Sequence, residues 1–127
     1  MGLVETELDP DRNLIIQKVT GNLILQDFVA AFNKAINHKD FRSGMNVLWD
    51  LTNASLADAN VHDIHEIIKF VKYHIDKRGT NFKLAIVANS KLEFGLSRVY
   101  EAYSDPLPFA KGVFYDMQEA IKWISDR

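Results

Sequence analysis

Residues 47–51, Val-Leu-Trp-Asp-Leu, are apolar except for Asp50 and lie between Ser43-Gly44 and Thr52-Asn53. A short apolar run between turn signals predicts a strand buried on both faces. Strands of that kind belong to parallel sheets covered by helices. The segments on either side should therefore alternate strand and helix, with this strand near the centre.

The flanking pattern agrees. Residues 3–8 alternate, with Leu3, Val4, Thr6 and Leu8 against Glu5 and Glu7. Asp9-Pro10-Asp11-Arg12-Asn13 follows as turn chemistry, and residues 14–19 read as a second strand that completes a β-hairpin. Gly21-Asn22 breaks the pattern. Phe28, Val29, Phe32, Ala35 and Ile36 recur at spacings of three and four, predicting a helix over 26–38. After the central strand, Asn60 caps a second helix with Asp63 in its first turn. Val61, Ile64, Ile67, Ile68, Val71 and Ile75 form its buried stripe, and Lys77-Arg78-Gly79 ends it. Residues 82–88 form the next strand. Ser90 and Glu93 then read as a capping box for a helix carrying Leu92, Leu96, Val99, Tyr100 and Tyr103. Pro106 and Pro108 stop that helix. A short strand covers 111–115, and Asp116 caps a last helix with Met117, Ala120, Ile121 and Ile124 on its apolar side.

The predicted order is ββαβαβαβα. It implies an α/β fold, with a mixed, mostly parallel β-sheet, an antiparallel edge strand, right-handed crossovers and about four flanking helices. The 127 residues fit one domain, 1–127.

Composition narrows the function classes. A formal net charge of −2 lacks the basic surface that nucleic acid or an anionic membrane demands. Lys69, Lys72, Lys77 and Arg78 cluster, but Asp63, Glu66 and Asp76 lie among them, which reads as a solvated helix face. The absence of cysteine removes disulfides, thiol catalysis and cysteine-ligated metals. No basic segment leads into an apolar one, and no apolar run approaches a membrane span. A cytoplasmic location is expected.

The order of elements resembles the STAS domain, the fold of the anti-sigma-factor antagonists, and more closely the stand-alone SpoIIAA-like bacterial proteins. The residues that carry the likeness are Val19-Thr20-Gly21 with Leu23, the Phe41 to Met45 approach to the central strand, Lys83-Leu84-Ala85-Ile86-Val87, Phe94-Gly95-Leu96-Ser97-Arg98-Val99-Tyr100, and Val113-Phe114-Tyr115-Asp116 before Glu119-Ala120-Ile121-Lys122-Trp123-Ile124. The resemblance covers nearly the whole chain. It implies a non-enzymatic regulatory or protein-interaction module. In the antagonists, a serine after an aspartate, at the start of the second helix, is phosphorylated. The matching positions here are Asp58, Ala59 and Asn60, so the acceptor hydroxyl is missing. Thr52 and Ser55 are the nearest hydroxyls that could replace it.

Catalytic and metal chemistry find little support. His62 and Glu66 are four residues apart on one helical face, near His65, but the spacing is not that of the zinc hydrolases and no third ligand is evident. Ser90 lacks the glycines of a nucleophile elbow. No phosphate-binding glycine loop exists. No catalytic residue, metal or cofactor is expected. Asp50 is the one suspicious carboxylate, and hydrogen bonding to nearby amides is the favoured account of it.

Two binding places remain. One is the carboxyl edge of the strands, comprising Asp50, Thr52, Asn53, Ser55, Asp58, Ala59 and Asn60, with Ala88-Asn89-Ser90 and Asp116 beside it. The other is the aromatic group Phe94, Tyr100, Tyr103 and Phe109 with its prolines, which would serve a protein partner or a homodimer if exposed. The alternative to an interaction module is a carrier or sensor of a small apolar ligand held between sheet and helices. A cavity beneath the second helix and the one carrying Tyr100 would favour that alternative.

Overall fold

Five strands form one sheet in the order β1-β2-β3-β4-β5. They are β1 (Leu3–Asp9), β2 (Leu14–Asn22), β3 (Asn46–Ser55), β4 (Lys83–Val87) and β5 (Ala110–Phe114). The first pair is antiparallel and the rest are parallel. The computed structural model describes residues 2–126. The apolar run at 47–51 is central, as its pattern predicts.

The β1–β2 hairpin turns through Pro10–Arg12. The Asp9 side chain accepts the Arg12 backbone N–H, and Asn13 takes the left-handed conformation at φ 55°. Both are the local bonding expected of Asp and Asn in turns.

The helices are α1 (Leu25–Ile36), α2 (Val61–Tyr73), α3 (Ile75–Arg78), α4 (Lys91–Tyr103) and α5 (Met117–Ser125). Strands adjacent in sequence are adjacent in space, so right-handed crossovers put α1, α2 and α4 on one face. That face buries Ile15, Val19, Val47, Trp49, Leu51, Leu84 and Ile86. The opposite face buries Leu14, Leu48, Ala85 and Val87 beneath Ala120 and Ile124 of α5. Alternate residues of β3 thus serve two separate cores.

Several expectations need correction. The second helix does not run unbroken to Arg78. It stops at Tyr73, and α3 restarts after His74, whose Nδ1 lies 2.9 Å from the Phe70 carbonyl oxygen. A side chain bonded to the preceding turn competes with the helical ladder. Gly21-Asn22 does not end β2, because Gly21 adopts φ 80° within the strand. Residues 52–55 are strand rather than loop, and Asn53, Ala54 and Ser55 pair with Thr20, Gly21 and Asn22. Ser90 is an N-cap without a side-chain bond. Its expected partner, Glu93, is buried and accepts the Leu56 backbone N–H at 2.9 Å. Arg78 is not on a solvated face, being only 4% exposed.

Asp50 sits at a bulge in the β2–β3 ladder. The β2–β3 register slips between Lys18 and Thr20, since Lys18 pairs with Asp50 and Thr20 with Asn53. A bulge of this kind leaves an amide outside the ladder. The Asp50 carboxylate accepts the Thr52 N–H at 3.0 Å and the Thr52 hydroxyl at 2.7 Å.

Candidate functional site

Between the sheet and helices α1, α2 and α4 lies a cavity of about 150 Å³. Trp49, Leu51 and Ile86 form its floor, and Phe28, Ile64 and Leu96 are among its walls. The aromatic part is closely packed. Phe28 stacks on Trp49 with ring centroids 5.2 Å apart, and Phe32 meets Phe70 edge-on at 5.0 Å.

The cavity runs along the strands. Leu56 and Ala59 line it beyond the carboxyl end of β3. Its wall includes Ile24, which is 41% exposed, so the lining reaches the protein surface there. Arg78 lines it at the opposite, amino-terminal end of the strands. There the Arg78 Nη2 donates to the Met45 carbonyl, just before β3, at 2.7 Å.

The polar side chains of the lining differ in how they are satisfied. Gln17 accepts from the Thr6 hydroxyl at 2.6 Å and donates to the Ala31 carbonyl at 3.1 Å. The Ser97 hydroxyl donates to the Glu93 carbonyl at 2.7 Å. Arg78 is incomplete, because its buried Nη1 has no hydrogen-bond partner. No carboxylate among the described residues pairs with it. Burial lowers the Arg78 guanidinium to about 10, so it remains charged at neutral pH. Tyr100 lines the same cavity. Burial pushes its phenol well above the usual range, and the Arg78 charge opposes that shift only in part.

Glycine holds Arg78 in place. Gly79 adopts φ 96°, and a Cβ there would collide with Gly44 and the Ser43 hydroxyl. The Gly44 N–H donates to the Arg78 carbonyl at 2.8 Å. The chain after α3 thus packs directly on the turn before β3.

The residues singled out from sequence fall in different places. Thr52 and Ser55 are engaged locally, since the Ser55 hydroxyl oxygen accepts the Ala57 N–H at 3.3 Å. Asn53 is exposed. Asp58 accepts from the Asn22 side chain at 2.6 Å, and Asn60 caps α2 in a box with Asp63. Ala59 and Tyr100 line the cavity. Phe94 stacks on Tyr115 at 3.9 Å, and Tyr103 packs beside His65 at 4.8 Å. Phe109 is buried against Phe82. His62 and Glu66 approach to 3.7 Å, and no set of three metal-binding side chains occurs among the described residues.

Sequence reading missed Arg78. A signal did exist: Ile64, Val71 and Arg78 are spaced by seven residues, so Arg78 continues the buried stripe of α2 across the break at His74.

No protein-family model and no curated protein matches the chain. Solved structures do. One is an uncharacterized protein of the DUF3478 family with a SpoIIAA-like fold, from Shewanella loihica PV-4. It is similar with a TM-score of 0.58 and 20% sequence identity, covering 97% of this chain and 93% of that one. No helix among the described residues is long and apolar enough to cross a membrane. Strand order, crossovers and this likeness agree, and the chain has a STAS-like, SpoIIAA-like fold.

Proposed function

We propose that this protein is a non-enzymatic STAS-like module that carries or senses a small apolar molecule, held between its sheet and helices α1, α2 and α4. The observation that carries this reading is the apolar cavity of about 150 Å³. Side chains lining unfilled apolar space lack packing partners on that side and lose dispersion contacts. A void of comparable volume lined by Leu, Ile and Phe stays dry and takes up benzene. Filling by an apolar guest would recover the lost packing.

The position of Ala59 supports a sensing role. The resemblance to the antagonists puts the phosphoserine there, and here the residue is an alanine on the cavity lining. A guest beside Ala59 would change the start of α2 without a phosphate. The cytoplasm is the expected setting.

A second reading keeps the interaction module, either for a protein partner or for a homodimer. It rests on apolar side chains left exposed around α4, namely Leu92 at 49%, Tyr103 at 50% and Tyr115 at 57%.

The first reading is tested by titrating isotope-labelled protein with benzene and with 1-hexanol while recording amide and methyl NMR spectra. Saturable shifts centred on Leu51, Ile64, Ile86 and Leu96 are expected. Ala35→Leu, which projects extra volume from α1 into the cavity, should abolish them. Spectra unchanged up to the solubility limit of both compounds would sink the carrier reading and leave the interaction module.

A further inference from the structure

We propose that the ligand of this cavity is a small carboxylate, an apolar body headed by one anionic group, with Arg78 as the residue that takes the carboxylate. The proposal rests on the carrier reading above and names its ligand class.

Arg78 is a buried cation with incomplete hydrogen bonding. Arg78 is 4% exposed, lines the cavity and has no carboxylate partner among the described residues. A buried charge is costly unless it is paired and hydrogen-bonded. Its Nη2 is used by the Met45 carbonyl, and its Cζ lies 3.8 Å from the Phe82 ring centroid. Neither contact neutralises the charge, and neither uses Nη1, which is buried without a partner. Of the other polar side chains of the lining, Gln17 and Ser97 are satisfied internally, Asp63 is engaged at the start of α2, where it accepts the Asn60 N–H at 3.1 Å, and Tyr100 carries a phenol. The lining is thus apolar over most of its length and includes one uncompensated cation, Arg78, at the amino end of the strands.

The free donors suit a carboxylate. Arginine binds carboxylate oxygens through planar, charge-assisted hydrogen bonds. Here only one terminal nitrogen is free, so Arg78 supplies a single edge of the site. Tyr100 lines the same cavity, and its phenol, held neutral by burial, adds a second donor. Arg78 and Tyr100 both line the cavity, and both side chains donate to carboxylate oxygens. A phosphate dianion presents more oxygens and more charge than this end of the cavity can satisfy. The volume, near that of a site that admits benzene, limits the apolar body to roughly six to eight carbons.

The experiment compares two probes with the same body, hexanoate and 1-hexanol, at neutral pH. Dissociation constants come from NMR titration of the wild type, Arg78→Met and Arg78→Lys. Wild-type protein should bind hexanoate at least about tenfold more tightly than 1-hexanol, the difference expected of a charge-assisted hydrogen bond. Arg78→Met should erase that preference while leaving 1-hexanol within about threefold of its wild-type value. Arg78→Lys should keep part of the preference, because charge survives and the planar fork does not. Binding of 1-hexanol as tight as that of hexanoate in the wild type would overturn the carboxylate assignment and leave the carrier reading standing. Binding of neither probe would overturn both. If Arg78→Met does not fold, the wild-type comparison and Arg78→Lys still decide the matter.

Discussion

The guanidinium of Arg78 lies 3.8 Å from the centroid of the Phe82 ring, beneath the point where β3 and β4 begin. This contact offsets part of the cost of burying the cation. The ring face offers negative electrostatic potential in a site from which water is excluded. Phe82 is itself 3% exposed and stacks on Phe109 at 4.4 Å, so the platform is rigid.

A double-mutant cycle measures that relationship. Phe82→Leu alone should destabilise the fold by about 1–3 kcal/mol, from lost packing and the lost platform. In an Arg78→Met background the same change should cost less, by about 0.5–2 kcal/mol. Chemical denaturation of the four proteins gives the coupling. A coupling of zero would mean that the ring serves only as core volume.

Gly79 fixes where Arg78 sits. Its φ of 96° and the close approach of Ser43 and Gly44 leave no room for a Cβ. Gly79→Ala should cost at least about 2 kcal/mol, since strain and collision add. Thermal unfolding followed by circular dichroism reads the loss. A melting temperature within error of wild type would show that the α3–β4 turn relaxes freely and does not position the guanidinium.

Asp50 belongs to the bulge in β3. Asp50→Leu removes the acceptor of the Thr52 N–H and hydroxyl. The expected cost is about 1–2 kcal/mol, one charge-assisted bond and one freed amide. An unchanged melting temperature would strip Asp50 of its structural role and return it to the list of binding residues.

Much of the fold was legible because it rests on local chemistry. The apolar run at 47–51 declared a doubly buried strand, and Asn60 and Asp116 announced their helix starts. Both cap as expected, Asn60 accepting the Asp63 N–H at 3.0 Å and Asp116 accepting the Gln118 N–H at 3.2 Å. The misreadings arose where tertiary structure takes over a local signal. Ser90 and Glu93 have the spacing of a capping box, but the loop after β3 needs an acceptor for Leu56, and Glu93 supplies it. Lys77-Arg78-Gly79 has the form of a helix stop, and it is one. The same letters cannot tell that Arg78 turns inward over Phe82 while Lys77 reaches outward to the Asn37 side chain at 2.9 Å. The cavity was foreseen only as one alternative, because a void depends on how three helices pack across a sheet and no single stretch of residues encodes it.

Glu93 supplies the last test, because it ties α4 to the loop that closes the cavity. Its carboxylate is buried and accepts the Leu56 N–H, and Leu56 lines the cavity. Glu93→Ala leaves that amide buried without an acceptor, at a cost of about 1–3 kcal/mol. The loss should be local as well as global. Hydrogen exchange at the Leu56 amide should accelerate by more than the global destabilisation alone accounts for, while amides in the middle of β4 should track global stability. Glu93→Gln keeps an acceptor oxygen and should restore most of the protection. Equal exchange at Leu56 in the wild type and Glu93→Ala would show that the loop is held by its own packing. The cavity would then be closed by α2 and the sheet, with no contribution from the Glu93 carboxylate.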